Sequence, residues 1–173
     1  MRLRDYAVAM AAYNAWMNEK VYAAAAELSD EQRKRDMGAA FGSIHRTLNH
    51  LLLGDQAWMQ RFHGQPVTMK SPDQQLHDNF EELRVARHAM DAEITAWAEG
   101  LTEEFGAAPF PVRSVTYNRE WVRPGWALVV HLFNHQTHHR AQVGTLLHQL
   151  GKDIGATDLP VQPYFEQEPG SAG

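Results

Sequence analysis

Trp126-Ala127-Leu128-Val129-Val130-His131-Leu132-Phe133-Asn134-His135-Gln136-Thr137-His138-His139-Arg140-Ala141-Gln142-Val143-Gly144-Thr145-Leu146-Leu147-His148-Gln149-Leu150-Gly151 carries both a helix signal and half of the chain's ten histidines. Leu128, Leu132, Val143, Leu146 and Leu150 recur at about 100° per residue, the spacing of one apolar helix face. The helix opens at Gly125 or Trp126, and Gly151 suits its C′ position. His135 and His139 fall inside that face, four residues apart, so their rings stack along one side of the helix. His131 and His138 fall to one side, toward solvent or a subunit contact. A buried imidazole needs partners for its ring nitrogens. A metal ion would satisfy one nitrogen of each, leaving the other N–H for a neighbouring acceptor. The competing reading is a pair of core histidines bonded to polar side chains or water.

Three more segments share the period. From about Leu3 to Leu28 the stripe is Tyr6, Met10, Tyr13, Met17, Val21, Ala24 and Leu28, with frequent alanine favouring helix. Ser29-Asp30-Glu31-Gln32 has the spacing of a capping box, so a new turn or short helix starts there. From about Phe41 to Phe62 the stripe is Phe41, Ile44, Leu48, Leu51, Leu52, Met59 and Phe62, and Gly64 and Pro66 end it. The third helix is expected over about 72–99. Ser71 is its cap, Pro72 its first residue and Gln74 completes a capping box; Leu76, Phe80, Leu83, Arg87, Met90, Ile94 and Trp97 form its stripe. Gly106, Pro109 and Pro111 break helix, whereas Val112, Val115, Tyr117, Trp121 and Val122 favour a small hairpin with a turn at Asn118-Arg119.

Four amphipathic helices with one long connection before the last argue for an all-α four-helix bundle. Residues 1–166 read as one domain and 167–173 as a flexible C-terminal tail. Within the tail region, Pro160, Pro163, Tyr164 and Phe165 are placed across the bundle.

At 173 residues, 44% apolar and 21% charged, the chain is long enough for a hydrophobic core without staples. Cysteine is absent, which excludes disulfides, thiol nucleophiles and Cys-ligated zinc. No run of about 18 apolar residues is present, and Met1-Arg2-Leu3-Arg4-Asp5-Tyr6 lacks a signal peptide's apolar stretch. A cytoplasmic protein with no membrane partner is expected. The net charge of −5 and the scattered Lys and Arg argue against nucleic-acid binding.

Two histidines rarely suffice for a metal, so a third ligand is expected from another helix. His45, His50 and Asp55 on the second helix are the candidates. His50 lies opposite the strongest apolar stripe, Asp55 on it and His45 at its edge, but Leu48, Leu51, Leu52 and Leu53 make the middle apolar nearly all round. Spacing does not choose among the three.

Three segments carry a family resemblance. Tyr13-Asn14-Ala15-Trp16-Met17-Asn18, Phe41-Gly42-Ser43-Ile44-His45-Arg46-Thr47-Leu48-Asn49-His50-Leu51 and Asn134-His135-Gln136-Thr137-His138-His139-Arg140-Ala141-Gln142 resemble the first-, second- and final-helix signatures of the DinB (DinB/YfiT-like) metalloenzymes. Gly155-Ala156-Thr157-Asp158-Leu159 resembles a common ending. The resemblance covers most of residues 6–159 and departs at Ala141, where many relatives have glycine. It implies a four-helix bundle with a long crossover before the last helix, a homodimer, and a metal site made of His50, His135 and His139. The family name refers to DNA-damage induction of its founding member and implies no DNA binding. Some relatives are thiol-dependent transferases or isomerases that use low-molecular-weight thiols such as mycothiol or bacillithiol.

Three neutral imidazoles leave metal positions open for water or substrate. The ligand set suits zinc or nickel first, with iron, cobalt and copper also compatible. A bound metal lowers the pKa of its water to about 7 or takes a substrate thiol as thiolate. The zinc-protease pattern H-E-x-x-H is not met, because Gln136 stands where the general base would be. Tyr13, Asn49 and Asp55 are possible helpers, each with a simpler reading: Tyr13 as core, Asn49 as a surface or capping residue, Asp55 as partner to a basic side chain. Arg140 is expected to pair with a carboxylate or hold the tail. The expectation is a metal-dependent enzyme of transferase or hydrolase type acting on a small molecule. The alternative is a non-catalytic metal-binding or dimeric interaction bundle serving a stress response.

Overall fold

Helix 1 (α1, Leu3–Ala26) ends at Glu27 and gives way through Ser29 to a short α2 (Asp30–Lys34). The expected capping box is present there: Ser29 Oγ accepts from Gln32 N, and Gln32 Oε1 accepts from Ser29 N. α3 (Ile44–Phe62) starts after Ser43, whose hydroxyl accepts from Arg46 N. α4 spans Phe80–Glu99, a short α5 spans Glu103–Ala107, and α6 spans Gly125–Gln149. Between α5 and α6, β1 (Pro109–Ser114) and β2 (Arg119–Pro124) form the expected antiparallel hairpin, with Val112 opposite Trp121. Asn118 at its turn takes φ 47°, a left-handed conformation that asparagine tolerates. The computed structural model describes residues 1–114 and 118–166, so the expected tail over 167–173 lies outside the described residues.

The four long helices pack in the ring order α1–α4–α3–α6, closing back on α1. Their buried apolar faces meet in one core that includes Val21, Ile44, Leu48, Leu83, Ile94, Leu132, Phe133 and Leu147. The fold is therefore the expected four-helix bundle, with the hairpin as its small addition. Among the described residues no helix is long and apolar enough to cross a membrane. Beyond Gly151, at the expected C′ position with φ 73°, the chain returns across α1. Tyr13 Oη donates to Thr157 O at 2.6 Å, Lys20 Nζ to Ala156 O, and Gln162 is buried in the short 3-10 turns that follow.

Two helix starts differ from expectation. α3 begins three residues after Phe41, which sits in a turn closed by Met37 N donating to Gly42 O at 2.7 Å. α4 begins at Phe80, capped by Asn79 Oδ1 on Glu81 N and Glu82 N, not at Pro72 behind Ser71. Side chains of α3 explain the second difference. Asn49 Oδ1 accepts from Leu76 N and His77 N, both at 2.9 Å, and Asn49 Nδ2 donates to His77 O at 3.0 Å. Gln74 Oε1 accepts from Lys70 N rather than from a cap residue. With Leu76 N, His77 N and His77 O held by Asn49, the end of this segment is fixed in a non-helical course before α4.

Candidate metal centre

His50 stands on the middle of α3, where the helix is buried nearly all round, and His135 and His139 stand one turn apart on α6. α3 and α6 are packed neighbours, and the three rings meet between them. His50 Nε2 lies 3.2 Å from His135 Nε2 and 3.2 Å from His139 Nε2. The three residues form a group that could hold a metal ion.

The outer nitrogens decide the tautomers of His50 and His139, while His135 Nδ1 is buried without a hydrogen-bond partner among the described residues. His50 Nδ1 lies 2.8 Å from Pro72 O. A carbonyl only accepts, so Nδ1 carries the proton and Nε2 holds a lone pair. His139 Nδ1 likewise faces Gln142 Oε1 at 2.8 Å, while the same amide's Nε2 faces His138 Nε2 at 3.2 Å. Lone pairs aimed at one another in a buried place repel unless something cationic or a donor lies between them. Tetrahedral zinc with Zn–N bonds of about 2.0–2.1 Å sets its nitrogens about 3.4 Å apart, close to the spacing here. The residues therefore fit a divalent cation.

Burial enforces the neutral state this needs. It pushes the His135 pKa down to about 3, with the neighbouring His139 and His50 adding to the effect. It pushes His139 down to about 4, against the raising effect of the hydrogen bond His139 donates to Gln142 Oε1. His50 is lowered by burial too, with the Pro72 carbonyl opposing. Metal ligation requires deprotonated imidazole, and all three rings are held so at neutral pH. Packing fixes them in place. Phe41 stacks on His50 at 3.8 Å between ring centroids and meets His139 edge-on at 5.5 Å. Gly54 lets His135 approach α3, since a Cβ there would lie 3.0 Å from His135 Cε1.

The triad opens into a cavity of about 610 Å3 whose walls include Trp58, Val112, Trp121 and Leu128. This is a size typical of small-molecule sites. Its lining holds no Asp or Glu among the described residues.

Of the other candidates, His45 is buried and turned away, with Nε2 2.9 Å from His77 O. Asp55 is fully buried and ion-paired with Arg87 at 2.7 Å, which matches the simpler reading of it. Asn49 is neither at the surface nor a helix cap; it is buried and anchors the segment beside Pro72. Tyr13 is core and holds the tail. His131 is exposed, as expected, yet it meets Trp58 edge-on at 4.9 Å and lines the cavity.

The face of α6 needs correction. Its buried line runs Leu132, Gln136, Arg140, Val143 and Leu147, and His135 and His139 sit at the edge of that line, partly exposed to the cavity. Gln136 donates to Leu51 O and Asp55 Oδ1. Arg140 donates to Asn14 Oδ1 and, among the described residues, pairs with no carboxylate. Asn14 and Asn18 both donate to Asp91, which pairs with Arg87 at 2.9 Å. Sequence reasoning missed this buried layer and the orienting role of Gln142. Polar pairs at i, i+4 (Asn14/Asn18, Arg87/Asp91 and Gln136/Arg140) are the signal that could have found the layer.

A four-helix bundle with three histidines from two neighbouring helices converging under an open cavity defines a class of candidate metalloprotein. The chain belongs to the DinB family, whose sequence model matches residues 3–170. It is 24% identical over 164 residues to Protein DinB of Bacillus subtilis (strain 168), covering 90% of this chain and 92% of that protein. The crystal structure of a DinB-like protein from Bacillus cereus ATCC 10987 superposes with a TM-score of 0.61 at 15% identity, over 82% of this chain and 90% of that one.

Proposed function

We propose that His50, His135 and His139 ligate one divalent metal, zinc or nickel, and that the protein is a metal-dependent enzyme acting on a small molecule held in the cavity. The convergence of three imidazole Nε2 atoms, those of His50 and His139 with their lone pairs turned inward, at the base of an open cavity carries this reading. A closed structural site would have four protein ligands, whereas three leave a place for substrate. The metal would supply Lewis acidity to whatever occupies that place.

The chain's own groups hold and shield. Pro72 O and Gln142 Oε1 orient His50 and His139, and the aromatic walls keep water away from the bound molecule. Among the described residues no carboxylate in the lining is available as a general base. That favours group transfer to a ligand bringing its own nucleophile, such as a low-molecular-weight thiol, over hydrolysis. Metal content of untagged protein by plasma mass spectrometry tests the reading. One metal per chain is expected, lost in His50→Ala and His135→Ala. No metal after incubation with zinc and nickel would overturn it. Bound metal with no exchangeable position for imidazole or a thiol would leave the non-catalytic bundle instead.

A further inference from the structure

The cavity carries two arginines. Arg61, on the last turn of α3, and Arg123, on β2, line it together with the histidines, with no acidic residue in the lining among the described residues. Arg61 bends back along its helix: its guanidinium lies 4.7 Å over the Trp58 ring and donates to Ala57 O at 3.1 Å and Arg113 O at 3.4 Å. These bonds use two of a guanidinium's five N–H groups. Among the described residues no carboxylate pairs with it, and the side chain is half-buried, so its charge is only partly compensated. Burial accordingly lowers its pKa. Arg123 is exposed, with its guanidinium donating only to the adjacent Val122 O among the described residues. A half-buried arginine without an acid costs stability unless something else gains from its charge.

We propose that Arg61, assisted by Arg123, forms a carboxylate-binding subsite of this cavity. The ligand is then a molecule with an apolar, preferably aryl, body and a carboxylate placed against the Arg61 guanidinium. The planar guanidinium matches a carboxylate in two parallel hydrogen bonds. Trp58, Trp121, Val112 and Leu128 supply the apolar walls. Along α3 the tether at Ala57 lies about 10 Å from His50 but only about 4.5 Å from Gly54, against which His135 packs, at 1.5 Å per residue. The proposal rests on the cavity being a small-molecule site and not on the histidines holding metal.

Calorimetric titration of full-length untagged protein with 4-phenylbutanoate and with the isosteric 4-phenylbutanamide tests it, in both metal-free and zinc-loaded samples. The carboxylate is expected to bind about tenfold more tightly than the amide, as a charge-assisted pair does. Arg61→Gln should remove most of that preference and Arg61→Gln/Arg123→Gln all of it, with amide affinity unchanged. Arg61→Lys, which keeps the charge and loses the planar fork, should retain part. A purely structural arginine would shift thermal stability and leave the charge preference alone. Equal affinity for both probes, no binding of either, or a preference that survives the double arginine variant and vanishes in His50→Ala would each overturn the proposal. Absence of bound metal with the preference intact would count against the metal reading alone.

Discussion

Gln142 shows how much of the site depends on groups that never face the metal position. Its amide oxygen sits on His139 Nδ1 and its amide nitrogen on His138 Nε2, so one side chain fixes a tautomer and a ring orientation together. Gln142→Leu should lower metal affinity about 10- to 100-fold with the helix intact, read by competition against a chromogenic chelator. Gly54 acts by what it lacks. The methyl of Gly54→Ala would meet His135 Cε1 at 3.0 Å, so His135 must move away from His50, and zinc affinity should fall at least as far. Unchanged affinity in both variants would show that the triad orients itself. The histidine pair on α6 was legible because i, i+4 spacing is a property of one helix. His50 was open among three residues by periodicity, because α3 is buried on nearly every side, and only the resemblance singled it out. Gln142 lay unread because its role appears only once tautomers are assigned.

At the scale of elements, the helices were legible and one face was misplaced by about one position. Hydrophobic periodicity places buried polar residues outside the core. On α6 the deepest positions include Gln136 and Arg140, so the apolar stripe pointed to the neighbouring histidines. Arg87 stood in the apolar stripe of α4 in full view, and a charge there demands a buried partner. The layer it belongs to joins the helices: Arg87 of α4 pairs with Asp55 of α3, Gln136 of α6 bonds Asp55, and Asn14 and Asn18 of α1 bond Asp91. Burial raises the Asp55 pKa although Arg87 opposes it, while Asp55 and Asp91 outweigh burial to raise that of Arg87. Removing one partner strands the others without water. Arg87→Met should therefore destabilise by about 3–5 kcal/mol, measured by urea unfolding. Arg87→Met combined with Asp55→Leu should recover part of that loss, since an apolar pair leaves fewer stranded charges. A single variant as stable as wild type would remove this layer from the account of the fold. The start of α4 went unread for a related reason: Asn49 holds the segment 70–79 by contacts distant in sequence, which local capping signals do not register.

For the whole molecule, a metal held by the proposed triad would tie α3 to α6, so folding and metal binding would be linked. A ligand that binds only the folded chain stabilises it by about 2.7 kcal/mol at a hundredfold excess over its dissociation constant. For a chain of this length that corresponds to a rise in Tm of about 5–10 °C. Zinc should produce that shift in wild type and almost none in His135→Ala, by scanning calorimetry. Acid acts on the metal-free protein through the same residues. His135 and His139 take up protons in the folded state only at about pH 3 and 4, whereas in the unfolded chain they do so near their ordinary 6.5. Above pH 6.5 both states are neutral and the stability is fully present. Below it the unfolded chain binds protons the folded chain refuses, so stability falls with pH until the folded rings protonate. Metal-free wild type should accordingly lose stability steadily from pH 6.5 toward 4. His135→Ala/His139→Ala should show a shallower slope over the same range, because it has lost two of the groups that differ between the states. Equal slopes would mean that the acid sensitivity lies elsewhere, with His45 and His131, whose pKa values burial also lowers, as the groups to substitute next.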